Sequence, residues 1–487
     1  MVQSPSLTPP LARQLAELVL STRHGDLPAL SLEHAKMSLA STLASAAVGY
    51  GIESARIVRE LDVADGGTAA AALWFDGGRL PLASAARVNA VASDAAASDD
   101  SDMRSIAHIG TIISSVALAV GEREGAGGRD VLTAMVLGYE VAGRIDESLT
   151  PVRMQRGFHG SYATVFGACI AAGVLLRLDA RQLAQAIALS ATSIGGMAIA
   201  ADTSWAREYH AGLAASTGIR AALAAQCGFE SELAVLERPR GFLDALGGQA
   251  REDIVRDWGE SWDIVTDLAI KLMPGAHPFH ATAEAAANAA RAGGGDCGSD
   301  TNGESGTNGT NGTAGTGGAA RINPGDIARV VVSAAVQWTN FKGDPHPRNL
   351  VDAAHSLHYF VAAAIVDGGF SWQHMDEARM ADPVVAALQD KVEFDPAPPP
   401  LPDRFPHRHG GTVTLHMKDG AVHRGTCIMP RGSGARGIAW RDVEDKFLHL
   451  FPQAGLAPAT TEACLDAVVH LERADSLGLL VRLLSRR

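Results

Sequence analysis

Two histidines of the sequence stand where acid–base chemistry would need them. His108 follows the acidic run 99–102, and His159 precedes a run of small and apolar residues that carries no charge until Arg177. That run predicts a buried helix, and the positive end of a helix favours the neutral form of a nearby imidazole. Neutral imidazole is the form that a general base requires. His159 is therefore a candidate catalytic group, with the alternative that it only caps or borders a buried helix.

Cationic side chains accompany the other candidate histidines. Arg207 lies three residues before His210, and Lys271 precedes His277 and His280 in the segment KLMPGAHPFH. Lys and Arg both bind carboxylates, Arg through a bidentate fork. His277 and His280 could share a helix face and hold a metal, but no HExxH motif and no cysteine partner accompanies them. We therefore expect a site for a small anionic substrate and no metal.

The elements that must position these residues are mostly helical. Up to about residue 270, Ala, Leu and Val recur at helical spacing between short Gly- or Pro-marked breaks. Later segments alternate like strands, one with Asp419-Gly420 as a hairpin turn, and the tail is again amphipathic helix. The prediction is a mainly α protein, with a large helical body and a smaller α+β lid domain. The predicted divisions are a body over 1–270, a lid over 271–436 and C-terminal helices over 437–487 that return to the body.

One segment inside the predicted lid has the composition of a disordered loop. Residues 292–319 consist almost entirely of Gly, Ser, Thr, Asn and Asp. Such a segment buries too little apolar surface to offset the entropy lost on ordering. We expect a disordered surface insert there.

Composition and charge exclude several classes of protein. The formal net charge of −13 over 487 residues argues against nucleic-acid binding. The five cysteines are scattered, odd in number and without a CxxC motif, which indicates a reducing compartment without a disulfide framework. The N-terminus has no secretory signal pattern, and the apolar stretch 184–201, which approaches membrane-span length, is interrupted by polar residues and a Gly pair. A cytoplasmic protein without a membrane span is the expectation.

Four motifs, in order along the chain, carry a resemblance to a known family. They are VLGYEVAGRI at 136–145, GFHGSYATVFGA from 157, WAREYHAGLAA from 205 and IKLMPGAHPFH from 270. Together they resemble the MmgE/PrpD family, which contains 2-methylcitrate dehydratase, cis-aconitate decarboxylase and iminodisuccinate epimerase. The resemblance runs along nearly the whole chain. It implies a helical body and an α+β lid with the active site between them, in a homodimer that needs no cofactor.

The same resemblance implies roles for individual residues. His108 and His159 would form the acid–base pair, with the roles of acid and base undecided. Asp99 would orient an imidazole, and Arg207 and Lys271 would anchor substrate carboxylates. His210 and His280, which also match the family's motifs, are expected to bind substrate, as are His277 and Asp102, which have no counterpart in them.

Asp102 is the clearest departure from the family pattern, since it replaces the histidine of a DDTH motif. A carboxylate facing the site would repel a tricarboxylate or pair with a substrate nitrogen, and otherwise the acidic run is a solvated loop. The expected activity is that of a cofactor-independent lyase acting next to a carboxylate of a small tri- or dicarboxylate, similar to 2-methylcitrate dehydratase. The alternatives are a cis-aconitate decarboxylase, an epimerase of an amino- or imino-dicarboxylate, and a non-catalytic binding relative.

Overall fold

The chain folds mainly into helices, which confirms the predicted fold class. The computed structural model describes residues 9–104, 106–193, 195–248, 252–291, 295–297, 321–336, 343–399 and 409–485. Two compact units are present, one made of Met1–Ile270 with Ala439–Arg487 and the other of Lys271–Ile438.

The helices follow in chain order. Those of the first 270 residues are α1 (Leu11–Ser21), α2 (Ala29–Gly49), α3 (Glu53–Asp65), α4 (Leu82–Ala95), α5 (Ile109–Glu124), α6 (Gly128–Leu149), α7 (Val152–Gln155), α8 (Ser161–Leu175), α9 (Ala180–Ser190), α10 (Ala198–Thr203), α11 (Ala206–Gln226), α12 (Phe242–Leu246) and α13 (Asp263–Thr266). The second unit contains α14 (His280–Ala289), α15 (Leu350–Ala354), α16 (Leu357–Asp367), α17 (Glu377–Met380) and α18 (Pro383–Gln389). The chain then adds α19 (Trp440–Leu450), α20 (Pro458–Val469) and α21 (Gly478–Leu484) to the first unit.

Small residues let α8 lie very close to its neighbours in the first unit. A Cβ atom added to Gly167 of α8 would lie 2.8 Å from the carbonyl oxygen of Gly138 on α6. A Cβ atom on Gly218 of α11 would lie 2.5 Å from the Cβ of Ala168. Because such contacts are too short for any side chain, the helices pack backbone to backbone at these points. The run after His159 is the buried helix that the sequence predicted.

Short strands complete the first unit. They are β1 (Ala71–Ala72), β2 (Arg79–Leu80), β3 (Asp100–Asp102) and β4 (Leu268–Ile270). β3 pairs antiparallel with β4, and the side chains of the whole acidic run 99–102 are buried. The alternative that this run is a solvated loop is therefore wrong, because the backbone is paired in a ladder and the carboxylates lie inside the unit.

The apolar stretch 184–201 is not one long helix, since α9 ends at Ser190 and α10 begins at Ala198. Among the described residues, no helix is both long enough and apolar enough to cross a membrane.

The second unit is built on a five-stranded sheet. Its strands are β5 (Gly295–Cys297), β6 (Ile327–Ala334), β7 (Val392–Phe394), β8 (Gly411–Met417) and β9 (Val422–Cys427), in the order β5-β9-β8-β6-β7. The predicted Asp419-Gly420 turn is confirmed, because it joins the antiparallel strands β8 and β9 and Gly420 has a φ of 91°. Helices α14 and α16 supply the apolar side chains that cover the sheet.

One expectation about the second unit needs correction. The insert 292–319 is not disordered throughout, because Gly295–Cys297 forms strand β5 and pairs parallel with β9. The rest of that insert lies outside the described residues. Cys427 is disulfide-bonded, whereas Cys169, Cys227 and Cys464 are free. The scattered spacing of the cysteines predicted no disulfide framework, and one bonded cysteine does not contradict that prediction, although the spacing gave no sign of this bond.

Candidate active site

His108 is held by two buried carboxylates. It stands at the N-terminal end of α5, and its Nδ1 lies 2.6 Å from Asp94 Oδ1 and 2.7 Å from Asp99 Oδ2. Asp94 comes from α4, and Asp99 immediately precedes β3. A carboxylate only accepts hydrogen bonds, so Nδ1 carries the hydrogen and the ring orientation is fixed. Any proton that this ring exchanges with a substrate passes through Nε2.

His159 lies in the loop between α7 and α8 and faces the same space. Its backbone N–H donates to the Gly196 carbonyl over 2.9 Å, and its ring centre lies 6.1 Å from that of His108 and 5.3 Å from that of His210. Burial first, and then the positive charges of His108, His210 and nearby arginines, lower the pKa of His159 well below its usual value. This imidazole is therefore neutral around pH 7.

A buried ion pair fixes the loop ahead of His159. Arg153 is 1% exposed, and its Nε and Nη2 contact the two carboxylate oxygens of Asp146 at 2.6 and 2.9 Å. Its Nη1 donates to the Phe158 carbonyl over 3.0 Å. Because this bidentate pair has one geometry, it sets the position of the backbone that carries His159.

Arg207 shares a carboxylate with His108. Its Nε lies 3.2 Å from Asp94 Oδ2, and its Nη2 donates to the Asp94 carbonyl over 2.8 Å. Asp94 thus links an imidazole and a guanidinium across the site. His210 follows one turn later on α11, is 9% exposed and has a pKa lowered by burial.

Several of these groups line one cavity within the first unit. Its volume in the structure is about 10 Å³, which is room for about one water molecule. Its lining residues are Asp94, His108, Ile112, His159, Ser161, Thr164, Arg207 and Ala211.

The carboxylate of Asp102 lies among the charged side chains of Arg104, Asp263 and Asp267. Its Oδ1 accepts the backbone N–H of Arg104 over 2.9 Å, and its Oδ2 lies 3.3 Å from Arg104 Nη2. Burial raises the pKa of Asp102 to about 8, the charge of Arg104 opposes that shift, and Asp267 and Asp263 add to it. Asp102 is absent from the residues that line the cavity of His108 and His159.

The three remaining predicted residues belong to the second unit. Lys271 is 2% exposed and stands at the start of that unit. His277 and His280 are also buried, in a short turn and at the first position of α14, with their ring centres 4.5 Å apart. Their part in binding substrate stays a prediction.

The buried trio of Asp94, Asp99 and His108 also has a spacing that could hold a metal ion, since one ligand atom from each lies within 4.8 Å of the others. The hydrogen bond from His108 Nδ1–H to Asp94 Oδ1, with Asp99 Oδ2 at 2.7 Å from the same nitrogen, holds these groups together without a metal. A two-Asp, one-His set therefore does not by itself require a metal.

Two residues of the site, Asp94 and Ser161, were not predicted from the sequence. Asp94 had a visible signal, because it is a charged residue within an Ala- and Val-rich helix and must find partners when buried. Ser161 gave none, since a serine at the start of a helix is ordinary.

Comparison with known proteins agrees with this architecture. The chain matches the MmgE/PrpD N-terminal domain over residues 13–254 and the MmgE/PrpD C-terminal domain over residues 314–470. It is 25% identical to the cis-aconitate decarboxylase of Homo sapiens over 482 residues, 97% of this chain and 94% of that protein. It is 25% identical to the cis-aconitate decarboxylase of Mus musculus over 414 residues, 83% of this chain and 79% of that protein. The two domain matches, in this order along the chain, show that the protein belongs to the MmgE/PrpD family.

Proposed function

We propose that this protein is a cofactor-independent lyase that acts next to a carboxylate of a small di- or tricarboxylate. The observation that carries the proposal is the pair of imidazoles in one cavity, 6.1 Å apart, held in different ways. His108 has two carboxylates on its Nδ1, and His159 is neutral because it is buried among positive groups. Two side chains of the same type that are placed in such different surroundings are typical of an acid–base site.

The geometry supports a division of labour between the two rings. The carboxylates of Asp94 and Asp99 stabilise a positive charge on His108, which suits this ring to carry the proton that the reaction adds or removes. Arg207, held beside His108 through Asp94, is placed to bind a substrate carboxylate. Neutral His159 would contact the negative charge that develops when a bond next to that carboxylate breaks.

Decarboxylation of an unsaturated tricarboxylate such as cis-aconitate is the first reaction to test, because both relatives named above are cis-aconitate decarboxylases. In that reaction the bond to the departing carboxylate breaks and CO2 leaves. The electron pair stays in the carbon skeleton, and the proton from His108 is added to carbon.

Dehydration of a 2-methylcitrate-like hydroxy acid is the second candidate. It needs one group to remove a proton from carbon and another to protonate the departing hydroxyl, and the cavity contains two imidazoles. An amino- or imino-dicarboxylate has weaker support, because the carboxylate that would have paired with its nitrogen, Asp102, contacts Arg104 instead.

The test is a panel of di- and tricarboxylates incubated with the purified protein and followed by NMR, with and without a chelator. We expect turnover of cis-aconitate or of a hydroxy-tricarboxylate, unchanged by the chelator and much slower in His159→Gln. The matched control is His470→Gln, a histidine with a 41% exposed side chain outside the cavity. A folded protein that turns over none of these acids would support the non-catalytic alternative. A homodimer in the cytoplasm remains our expectation for its assembly and location.

A further inference from the structure

Ser161 lies between His159 and Gly196 and contacts both of them through hydrogen bonds that the proposed reaction does not involve. The Gly196 N–H donates to Ser161 Oγ over 3.0 Å. Ser161 Oγ lies 3.3 Å from His159 Nδ1, and the Ser161 backbone N–H points to the same nitrogen over 3.4 Å. Ser161 is 4% exposed and is the first residue of α8.

These contacts determine which ring nitrogen of His159 carries the hydrogen. A backbone N–H can only donate, so the Nδ1 atom that it faces must present its lone pair. The Gly196 N–H occupies one lone pair of Ser161 Oγ, and the Ser161 hydroxyl hydrogen remains available to donate to the same Nδ1. Both contacts are long, but both the N–H and the hydroxyl of Ser161 face the same Nδ1 atom. With Nδ1 an acceptor in a neutral ring, the hydrogen is on Nε2.

We propose that Ser161 is a positioning residue that, together with Gly196, holds His159 as the tautomer with its hydrogen on Nε2. In this form the ring offers an N–H donor, and not a lone pair, to the substrate. A neutral imidazole donor stabilises negative charge on a carboxylate or enolate oxygen without transferring its proton. The proton carrier is then His108. This consequence for catalysis rests on the proposed function, whereas the tautomer itself does not.

The backbone on the other side of Ser161 is shaped for this contact. A Cβ atom on Gly195 would lie 2.9 Å from Ser161 Oγ, and one on Gly196 would lie 1.8 Å from Cε1 of His210. Only glycine lets this segment approach closely enough for the Gly196 N–H to reach Ser161.

The test is 15N NMR of the full-length protein with ring-labelled histidine, in which protonated and unprotonated ring nitrogens have well-separated shifts. The His159 signals are assigned by their loss in His159→Gln. We expect Nε2 protonated and Nδ1 unprotonated in the wild type, and a second tautomer in Ser161→Ala. Ser161→Thr keeps the hydroxyl and should restore the wild-type pattern. Ser148→Ala removes another buried hydroxyl, bonded to the Ile145 carbonyl, and should change nothing.

Kinetics give the second readout. Ser161→Ala should lower kcat about tenfold, the effect of one neutral hydrogen bond, with KM within about twofold and recovery in Ser161→Thr. Hydrogen on Nδ1 in the wild type, or an unchanged tautomer in Ser161→Ala, would overturn the proposal. If no carboxylate is turned over, the proposed function fails while the NMR result still decides the tautomer.

Discussion

Asp94→Asn tests the role of the one carboxylate that contacts both His108 and Arg207. Asp94 contacts His108 Nδ1 at 2.6 Å and Arg207 Nε at 3.2 Å, and it is 1% exposed. The asparagine keeps the shape but removes the charge from both contacts. A hydrogen bond to a charged group contributes about 1.5–3 kcal/mol, so losing the one to His108 should lower kcat about 10- to 150-fold. Loosening Arg207 should also raise KM.

Asp99→Asn is the comparison, because Asp99 contacts the same Nδ1 at 2.7 Å and acts on Arg207 through its charge, whereas Asp94 also bonds Arg207 through its backbone carbonyl. It should lower kcat over the same range and raise KM less than Asp94→Asn does. The assay is steady-state kinetics on whichever acid is turned over, with Asp419→Asn in the exposed hairpin turn as control. If both variants keep kcat within about twofold, or if Asp99→Asn raises KM as much as Asp94→Asn does, the assigned roles are wrong.

Three further predictions concern other parts of the chain. Burial raises the pKa of Asp102 to about 8, so the folded protein keeps a proton there that the unfolded chain loses near pH 4. The contribution of Asp102 to the free energy of unfolding therefore falls as pH rises from about 4 to about 8. Asp102→Asn keeps an acceptor for Arg104, so it should make this fall smaller in urea unfolding and leave KM within about twofold. Gly196→Ala should abolish turnover, because its Cβ would lie 1.8 Å from the ring of His210; activity near that of the wild type would contradict the close packing described here. Deleting 298–319 should leave kcat unchanged and the melting temperature within a few degrees, and a large loss of either would refute the argument from composition.

The helical body could be predicted because its signal is local. Ala, Leu and Val at helical spacing predict a helix whatever lies opposite, and the Asp-Gly pair at 419–420 predicts a tight turn. The acidic run 99–102 could not be placed in the same way. Its residue types are typical of loops, and only pairing with β4, about 170 residues later, makes it a buried strand.

The site was predictable in part for the same reason. A histidine before a buried small-residue helix predicts a side chain at the start of that helix. The ring of His159 accepts the N–H of Ser161 and lines the cavity, and its catalytic role stays a prediction. The link from His108 through Asp94 to Arg207 joins three separate segments. No spacing along the chain shows such a link, because it exists only after α4, α5 and α11 pack together.

The most direct test of the account follows a proton into the product. The substrate is turned over in D2O by the wild type, by His108→Gln and by His159→Gln, and NMR measures both the rate and the deuterium bound to product carbon. We predict that the wild type delivers one deuteron per turnover and that His108→Gln loses at least about 100-fold in rate, the contribution of a general acid or base. His159→Gln should be slow but still deliver deuterium in each remaining turnover. Activity of His108→Gln within about tenfold of the wild type would contradict the central claim that His108 carries the proton.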